Sequence, residues 1–292
     1  MWYQLEIDVC LPNEVDNLSA ILEESGAVSI TLSDKNDDPV LEPLPGATPL
    51  WPEITLKALY SEEKVADEAL QHINQLFPHF HARVTLLPEQ NWERAWMDNF
   101  KPQQFGERLW VCPSWITPPK PEAINLILDP GLAFGTGTHP TTQLCLTWLA
   151  RADLANKIVI DYGCGSGILA LAALKLGANQ VQAVDIDPQA LQATKANAEV
   201  NNLADEQLSI TSPDELTGSA DILIANILLT PLLALKAQFK QLIRDQGMLV
   251  ISGILNEQTV SLIDMYQDDF IHQQTETLED WSLLVFTHRK NK

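Results

Sequence analysis

The stretch "VIDYGCGSGILALAALKLGA" (159–178) begins as an apolar run, passes through three alternating glycines and continues as an apolar segment of helical composition. Around it, from residue 157 to about residue 288, strand-like apolar runs alternate with helix-like runs. Continuous apolar strands between helices are typical of a parallel sheet that is covered on both faces. Ligands bind such sheets beyond the carboxyl ends of the strands, where the strand order reverses. The stretch therefore predicts a ligand site on a doubly wound α/β domain.

The glycine turn has the pattern D-x-G-x-G-x-G. Its four members are Asp161, Gly163, Gly165 and Gly167. Glycines let the backbone pass close to a ligand just before a helix begins. A dinucleotide fingerprint needs glycine or alanine at position 168, which is Ile168, and a phosphate loop needs a lysine, which is absent between Lys157 and Lys175. The pattern therefore disfavours both a dinucleotide and a phosphate cradle.

An acidic residue follows the next strand-like run. Asp185 lies 22 residues after Gly163, in the segment "VQAVDID" (181–187). A carboxylate at the end of this strand can accept hydrogen bonds from both ribose hydroxyls. The glycine turn and Asp185 together predict a ligand that has a ribose and a charged tail without phosphate. The plainer alternative is that the glycines serve only the tight turn from strand to helix.

Two of these segments resemble a known superfamily. "VIDYGCGSG" and "AVDID" resemble the first two motifs of class I S-adenosylmethionine-dependent methyltransferases. "DPGLAFGTGTHPTTQLCL" (129–146) and "IANILLTPL" (224–232) resemble the ligand-covering loop and the motif after the fourth strand in the ribosomal protein L11 methyltransferase family. The resemblance implies a Rossmann-like sheet of about seven strands, S-adenosyl-L-methionine as cofactor, and the basic ribosomal protein L11 as substrate. Its methylated groups would be lysine side chains and the N-terminal α-amine.

The loop before the sheet is rich in hydroxyls that could bind an amino-acid carboxylate and ammonium. The resemblance assigns Thr142 to the cofactor, and we expect His139 or Thr138 to cap the following helix rather than His139 to act as a base. The full set of predicted cofactor-binding residues is Phe134, Gly135, Thr136, Thr138, Thr142, Asp161, Gly163, Gly165, Gly167, Asp185 and Asn226.

Asn226 is the predicted catalytic residue. Class I enzymes that methylate amines usually carry Asn or Asp here, followed by Pro-Pro and an aromatic, whereas this chain continues with Ile227, Leu228 and Leu229. The missing aromatic argues against an enzyme that stacks a flipped nucleobase. The amide oxygen of Asn226 could orient an amine nitrogen toward the methyl group while remaining neutral. The plainer alternative is a polar residue that ends a buried strand.

The first 88 residues predict a separate domain. Strand-like and helix-like runs follow in the order βαββαβ, which is typical of a ferredoxin-like sandwich, with Asn13 and Ser61 as candidate helix caps. Residues 1–100 contain 5 Lys and Arg against 18 Asp and Glu, a net charge of −13. This acidic region either docks a basic macromolecule or is a solvated face. We predict a substrate-recognition domain over 1–88, a helical linker over 89–104 and the methyltransferase domain over 105–292, with a flexible hinge near 86–104.

Composition narrows the remaining possibilities. A net charge of −21 opposes unassisted binding to a phosphate backbone. We read no secretory signal or membrane span, and expect a cytoplasmic protein; nothing demands a dimer, so we expect a monomer. The four scattered cysteines predict neither a zinc site nor disulfides. An RNA or small-molecule amine methyltransferase and a non-catalytic nucleoside-binding module remain as alternatives.

Overall fold

A computed structural model of the chain describes residues 1–9, 11–36, 47–87, 100–129, 135, 137–203 and 206–290. The chain divides into two compact units, Met1–Met97 and Asp98–Lys292. Residues 89–99 of the predicted helical linker lie outside the described residues, and 103–104 belong to a strand rather than a helix. The domain boundaries and the hinge near 86–104 stay predictions.

Unit 1 is a ferredoxin-like sandwich, as predicted. Its elements are β1 (Trp2–Val9), α1 (Pro12–Glu24), β2 (Ser29–Asp34), β3 (Ile54–Tyr60), α2 (Glu63–Leu76) and β4 (Ala82–Leu87). The strands form an antiparallel sheet in the order β2-β3-β1-β4. Apolar residues of α1 and α2 share one core with alternate residues of β1 and β3, because side chains one strand position apart point to opposite faces.

The predicted helix caps of unit 1 are wrong. Helix α1 begins at Pro12 and is preceded by Leu11, and α2 is preceded by Glu62; neither of these residues makes a side-chain cap hydrogen bond among the described residues. Proline is well suited to a first helical turn, since its missing N–H has no partner there in any helix. This preference moves the start of α1 one residue ahead of Asn13, which is therefore inside the helix.

Unit 2 is built on a seven-stranded sheet in the order β10-β9-β8-β11-β12-β14-β13. Its strands are β8 (Ile158–Tyr162), β9 (Gln180–Val184), β10 (Leu208–Thr211), β11 (Ala220–Asn226), β12 (Ile243–Leu255), β13 (Phe270–Leu278) and β14 (Trp281–His288). Its helices are α3 (Pro140–Arg151), α4 (Ile168–Lys175), α5 (Pro188–Val200), α6 (Leu229–Leu242) and α7 (Thr259–Tyr266). The first five strands in the order are parallel, as predicted.

The parallel arrangement expected from the apolar strands does not extend over the whole sheet. Strand β14 runs antiparallel to both β12 and β13. Only the short turn over 279–280 joins β13 to β14, and so short a connection requires antiparallel neighbours. The sheet is therefore mixed, and in the strand order β11 and β12 separate the reversed strand from β8.

A small sheet of β5 (Gln103–Phe105), β6 (Leu109–Cys112) and β7 (Ile124–Ile127) joins unit 2. Helix α4 packs against β7, α3, β8 and β9, which explains why all of its residues except Lys175 are buried and apolar. The buried Asn201 side chain accepts from Ile127 N at 2.8 Å and donates to Ile127 O at 2.6 Å. This amide fastens β7 to the end of α5.

Across the described ranges, no helix combines the length and apolarity needed to cross a membrane. The same residues contain no cluster of three or more histidine, cysteine or acidic side chains placed to hold a metal ion. The described cysteines, Cys112, Cys145 and Cys164, are buried free thiols; Cys10 lies outside the described residues.

Candidate functional site

A pocket of about 320 Å³ opens at the carboxyl ends of β8, β9 and β11. Its lining combines backbone of the glycine loop with polar side chains at two strand ends and an apolar wall. The lining residues are Gly135, Thr142, Tyr162, Gly163, Cys164, Gly165, Ile168, Leu169, Asp185, Ile186, Asn226, Ile227, Pro231 and Leu235. The structure thus brings six of the predicted cofactor residues to one pocket, at the sheet edge predicted from the sequence.

The glycine loop is fastened to strand β9. Gly163 N and Cys164 N both donate to Val184 O, at 2.7 and 3.0 Å, and Gly165 N donates to Asp185 Oδ2 at 2.9 Å. The three motif glycines have positive φ angles of 82°, 54° and 79°, a region that side chains with a Cβ rarely adopt. The alternating glycines therefore make a left-handed turn that exposes backbone to the pocket.

Helix α5 braces the loop from behind. Thr194 Oγ1 donates to Gly165 O at 3.0 Å and Asn197 Nδ2 donates to Ser166 O at 2.8 Å. A Cβ on Gly167 would lie 2.6 Å from Thr194 Cγ2, closer than real carbon contacts. Gly167 is therefore required for packing as well as for its φ angle.

We expect Gly167→Ala to lower the free energy of unfolding by about 3 kcal/mol, because left-handed strain and overpacking against Thr194 add together. Gly177→Ala is the matched control, since Gly177 has φ of 109° but no described heavy atom within 4 Å of its Cβ position. It should cost about 1 kcal/mol, from strain alone. Urea unfolding measures both; equal losses would show that contact with Thr194 contributes nothing.

Asp185 lies just beyond β9 with its side chain oriented by two backbone bonds. Its Oδ2 accepts from Gly165 N at 2.9 Å and its Oδ1 accepts from Asp187 N at 3.0 Å. An ionised carboxylate has about four lone-pair sites, so each oxygen retains capacity for a further donor. The carboxylate can therefore bind the glycine loop and a ligand's hydroxyls together.

Asp161 lies beneath the loop and does not line the pocket. It is 1% exposed, and Oδ2 accepts from Ala170 N at 2.9 Å in the first turn of α4. Oδ1 has no hydrogen-bond partner among the described residues. Burial is the main cause that raises the pKa of Asp161 to about 7. In the structure, this predicted cofactor residue contacts the helix that follows the loop.

Asn226 ends β11 and is one of the residues that line the pocket. Its Nδ2 donates to Thr142 Oγ1 at 3.4 Å, and Thr142 is fully buried at the start of α3. The Oδ1 atom is buried and has no hydrogen-bond partner among the described residues. A buried amide oxygen without a partner is costly unless a ligand supplies a donor. The amide is therefore arranged to accept a hydrogen bond from something in the pocket.

The loop over 129–146 is described only in part. Gly135 lines the pocket, and its carbonyl accepts from Ser166 Oγ at 2.6 Å. Thr138 does not line the pocket, and its carbonyl accepts from Gln143 Nε2 at 2.7 Å. Phe134 and Thr136 lie outside the described residues, so their predicted cofactor contacts stay predictions.

His139 is the N-cap of α3, as expected. Its Nδ1 accepts from Thr141 N at 3.3 Å, and its ring packs edge-on against Trp281 with 4.9 Å between centroids. Burial lowers the pKa of His139, which favours the neutral ring that a cap acceptor requires. The cap interaction accounts for the presence of histidine at this position.

The apolar wall of the pocket was not predicted. Ile186 directly follows Asp185 and is 84% exposed, while Pro231 and Leu235 contribute from α6. The sequence signal that could have identified the wall is the position of Ile186, an aliphatic residue between Asp185 and Asp187 directly after β9. The wall offers an apolar surface for a flat, weakly polar group beside the Asp185 carboxylate.

Comparison with known proteins gives consistent results. The family model described as ribosomal protein L11 methyltransferase (PrmA) matches residues 1–289. A ribosomal protein L11 methyltransferase from Legionella pneumophila (strain Lens) is 58% identical over 289 residues, covering 99% of this chain and 100% of that protein. One from Nitrosococcus oceani is 50% identical and covers 99% of both chains.

Among solved structures, the ribosomal protein L11 methylase from Lactobacillus delbrueckii subsp. bulgaricus is similar, with a TM-score of 0.60 and 31% identity. It covers 65% of this chain and 100% of that chain. The family model spans both units, and the relatives match nearly the whole length. The chain therefore belongs to the ribosomal protein L11 methyltransferase family.

Proposed function

We propose that this protein transfers methyl groups from S-adenosylmethionine to amines of ribosomal protein L11, both lysine side chains and the N-terminal α-amine. Membership of the family makes the chain a methyltransferase with S-adenosylmethionine as its cofactor. The observation that carries the choice of an amine acceptor is the unpartnered, buried Oδ1 of Asn226 in the pocket.

The pocket fits the cofactor at several points. The Asp185 carboxylate suits the two ribose hydroxyls, and the apolar wall that includes Ile186 suits the adenine. The exposed backbone of the glycine loop and the Gly135 segment would take the amino-acid tail. A Cβ on Gly163 would overlap the Ile227 side chain, so this close cradle requires glycine. When bound, S-adenosylmethionine supplies an electrophilic methyl group on a positively charged sulfur.

Asn226 is well suited to an amine acceptor. An amine N–H can donate to Oδ1, which would hold the nitrogen lone pair in a fixed direction, and alignment of this kind supplies much of the rate in a displacement. Thr142 Oγ1 accepts from Nδ2, which orients the amide and leaves Oδ1 as the acceptor without a partner among the described residues. Amide oxygens do not titrate in the physiological range, so Asn226 orients the amine and another group removes its proton.

Deprotonation of the acceptor must precede attack. A lysine amine has an unperturbed pKa near 10.4 and is mostly charged at neutral pH. Among the described lining residues the only carboxyl is Asp185, which already accepts from the glycine loop. We therefore propose that water receives the proton, and that desolvation of the amine in the largely apolar pocket lowers its pKa.

Unit 1 offers a surface for a basic partner. Helix α1 carries four acidic residues and no basic one, and α2 carries three acidic residues and one lysine. The acidic residues with exposed side chains are Asp16, Glu23, Glu24, Glu63, Asp67 and Glu68. Both helices lie on the same side of the antiparallel sheet, so their charges act on the same partner. We propose that this helical layer attracts the basic substrate protein.

The test is transfer of labelled methyl from S-adenosylmethionine to separate samples of unmodified L11, ribosomal RNA and lysozyme, a basic protein unrelated to ribosomes. We expect label in L11 alone, and peptide mass spectrometry should place the methyls on lysine side chains and the α-amine. Label in RNA would overturn the proposed substrate. Binding of S-adenosylmethionine without any transfer would instead favour a non-catalytic module.

A further inference from the structure

The residue after Asn226 is held between two glycines. The Cβ position of Gly253 lies 2.8 Å from the carbonyl carbon of Ile227 and 2.9 Å from its nitrogen, so a side chain there would collide with the Ile227 backbone. On the other side, a Cβ on Gly163 would overlap Ile227 Cγ2. Both glycines have positive φ angles, of 84° and 82°. The backbone of Ile227 thus packs closely against Gly253, and its side chain packs closely against Gly163.

Strand β12 is irregular where it makes this contact. Its pairing with β11 ends at Asn226 and Ser252, and its register with β14 shifts between Ile251 and Ile254. Bulges bend a strand locally and change the direction of nearby groups. The irregularity lies where β11 ends, so Gly253 contacts Ile227, the first residue after Asn226.

Local sequence does little to fix the backbone at this point. Two prolines, where related amine methyltransferases carry them, would restrict φ at successive residues. Here Ile227 and Leu228 take those places, and Leu228, which precedes α6, makes no side-chain cap hydrogen bond with the described residues. Rotation at Ile227 would act on the peptide that joins it to Asn226, which is the last paired residue of β11. Packing of Ile227 between Gly163 and Gly253 opposes this rotation.

We infer that Gly253 and Ile227 are positioning residues that hold the Asn226 amide in its reactive direction. The inference rests on the proposed role of Asn226 in orienting the acceptor amine. Gly253 allows the Ile227 peptide to approach β12, and the Ile227 side chain then seats against the glycine loop. The position of Oδ1 is thereby tied to Gly163, the first glycine of the loop that lines the cofactor pocket.

Gly253→Ala tests the backbone contact, and Gly218→Ala is its matched control. Gly218 has φ of 83°, nearly that of Gly253, precedes the other end of β11, and has no described heavy atom within 4 Å of its Cβ position. We expect Gly253→Ala to lower kcat for L11 methylation by roughly 10-fold to 100-fold, with S-adenosylhomocysteine affinity changed less than about 3-fold. Gly218→Ala should leave kcat within about 2-fold. Equal kcat values for the two variants would overturn the inference.

Ile227 gives a second test that holds even if Gly253→Ala fails to fold. Ile227→Val keeps the Cγ2 methyl against Gly163, and Ile227→Ala removes it. We expect the alanine variant to lose roughly 10-fold more kcat than the valine variant. Equal losses would contradict the inference. Asn226→Ala, measured in parallel, separates the two claims: full activity in that variant would overturn the proposed role of Asn226 itself.

Discussion

Asn226→Ala is expected to lower kcat for L11 methylation by about 100-fold while the dissociation constant of S-adenosylhomocysteine changes by less than about 3-fold. The reason is that Oδ1 is the buried pocket acceptor without a protein partner among the described residues. Under the proposed mechanism its removal would take away the alignment of the amine, which matters only while the methyl group is transferred. Steady-state kinetics with L11 and calorimetric titration with S-adenosylhomocysteine measure the two quantities.

Two variants act as controls for this result. Asn226→Leu keeps the branching and the number of heavy atoms of the side chain without its polar atoms, so an equal loss would show that the amide rather than the shape is needed. Thr142→Val removes the acceptor of Nδ2 and should lower kcat by about 10-fold, since the amide can then rotate. The Thr142→Val effect should vanish in the Asn226→Ala background. An Asn226→Ala enzyme with wild-type kcat would contradict the proposed mechanism.

The parts of the site that the sequence predicts are local in the chain. Asp161 lies near the end of β8, Gly163 and Gly165 follow in the turn before α4, and Asp185 comes directly after β9. In a parallel sheet neighbouring strands end at one edge, so the meeting of Gly165 N with Asp185 Oδ2 follows from the pattern. The same reasoning places Asn226 at that edge, because β11 is the other neighbour of β8.

The parts that the sequence does not predict depend on distant pairs. Thr142 and Asn226 are 84 residues apart, and Gly253 contacts Ile227 through an irregularity in β12 that no local pattern signals. Strand β13 is also missed, because "FIHQQTETL" has few apolar residues. It lies at an edge of the sheet, where polar side chains hinder pairing with other molecules. Apolar periodicity cannot identify a strand of this kind.

Asp161 shows why a motif does not by itself assign a contact. The pattern groups it with the loop glycines, yet its carboxyl is buried against Ala170 N rather than in the pocket lining. Successive side chains of a strand point to opposite faces of the sheet, so a residue near the carboxyl end can face either the pocket or the protein interior. Which of the two it faces depends on its position in the pleat and on the helix or loop that covers that face. Its cofactor role stays a prediction, with support of helix α4 as the contact seen in the structure.

Asp185→Ala is expected to raise the dissociation constant of S-adenosylmethionine by about 100-fold. Hydrogen bonds to a charged group contribute about 1.5–3 kcal/mol each, and two ribose hydroxyls would lose their acceptor. Gly165 N and Asp187 N would lose theirs as well, so the glycine loop would also loosen. Asp185→Asn keeps one acceptor oxygen and should show a smaller rise, about 10-fold. Calorimetric titration measures both variants.

Asp187→Ala is a control that should lower the stability of the fold without changing the affinity for S-adenosylmethionine. Asp187 caps α5 through Gln189 N at 2.9 Å and does not line the pocket, so its loss should cost about 1 kcal/mol of stability with little change in affinity.

At saturating cofactor, Asp185→Asn should recover most of its kcat, whereas Asn226→Ala should not. This opposite behaviour follows from the proposed roles, in which Asp185 holds the cofactor and Asn226 directs the acceptor. An Asp185→Asn defect that persists at saturation would place Asp185 in the chemical step.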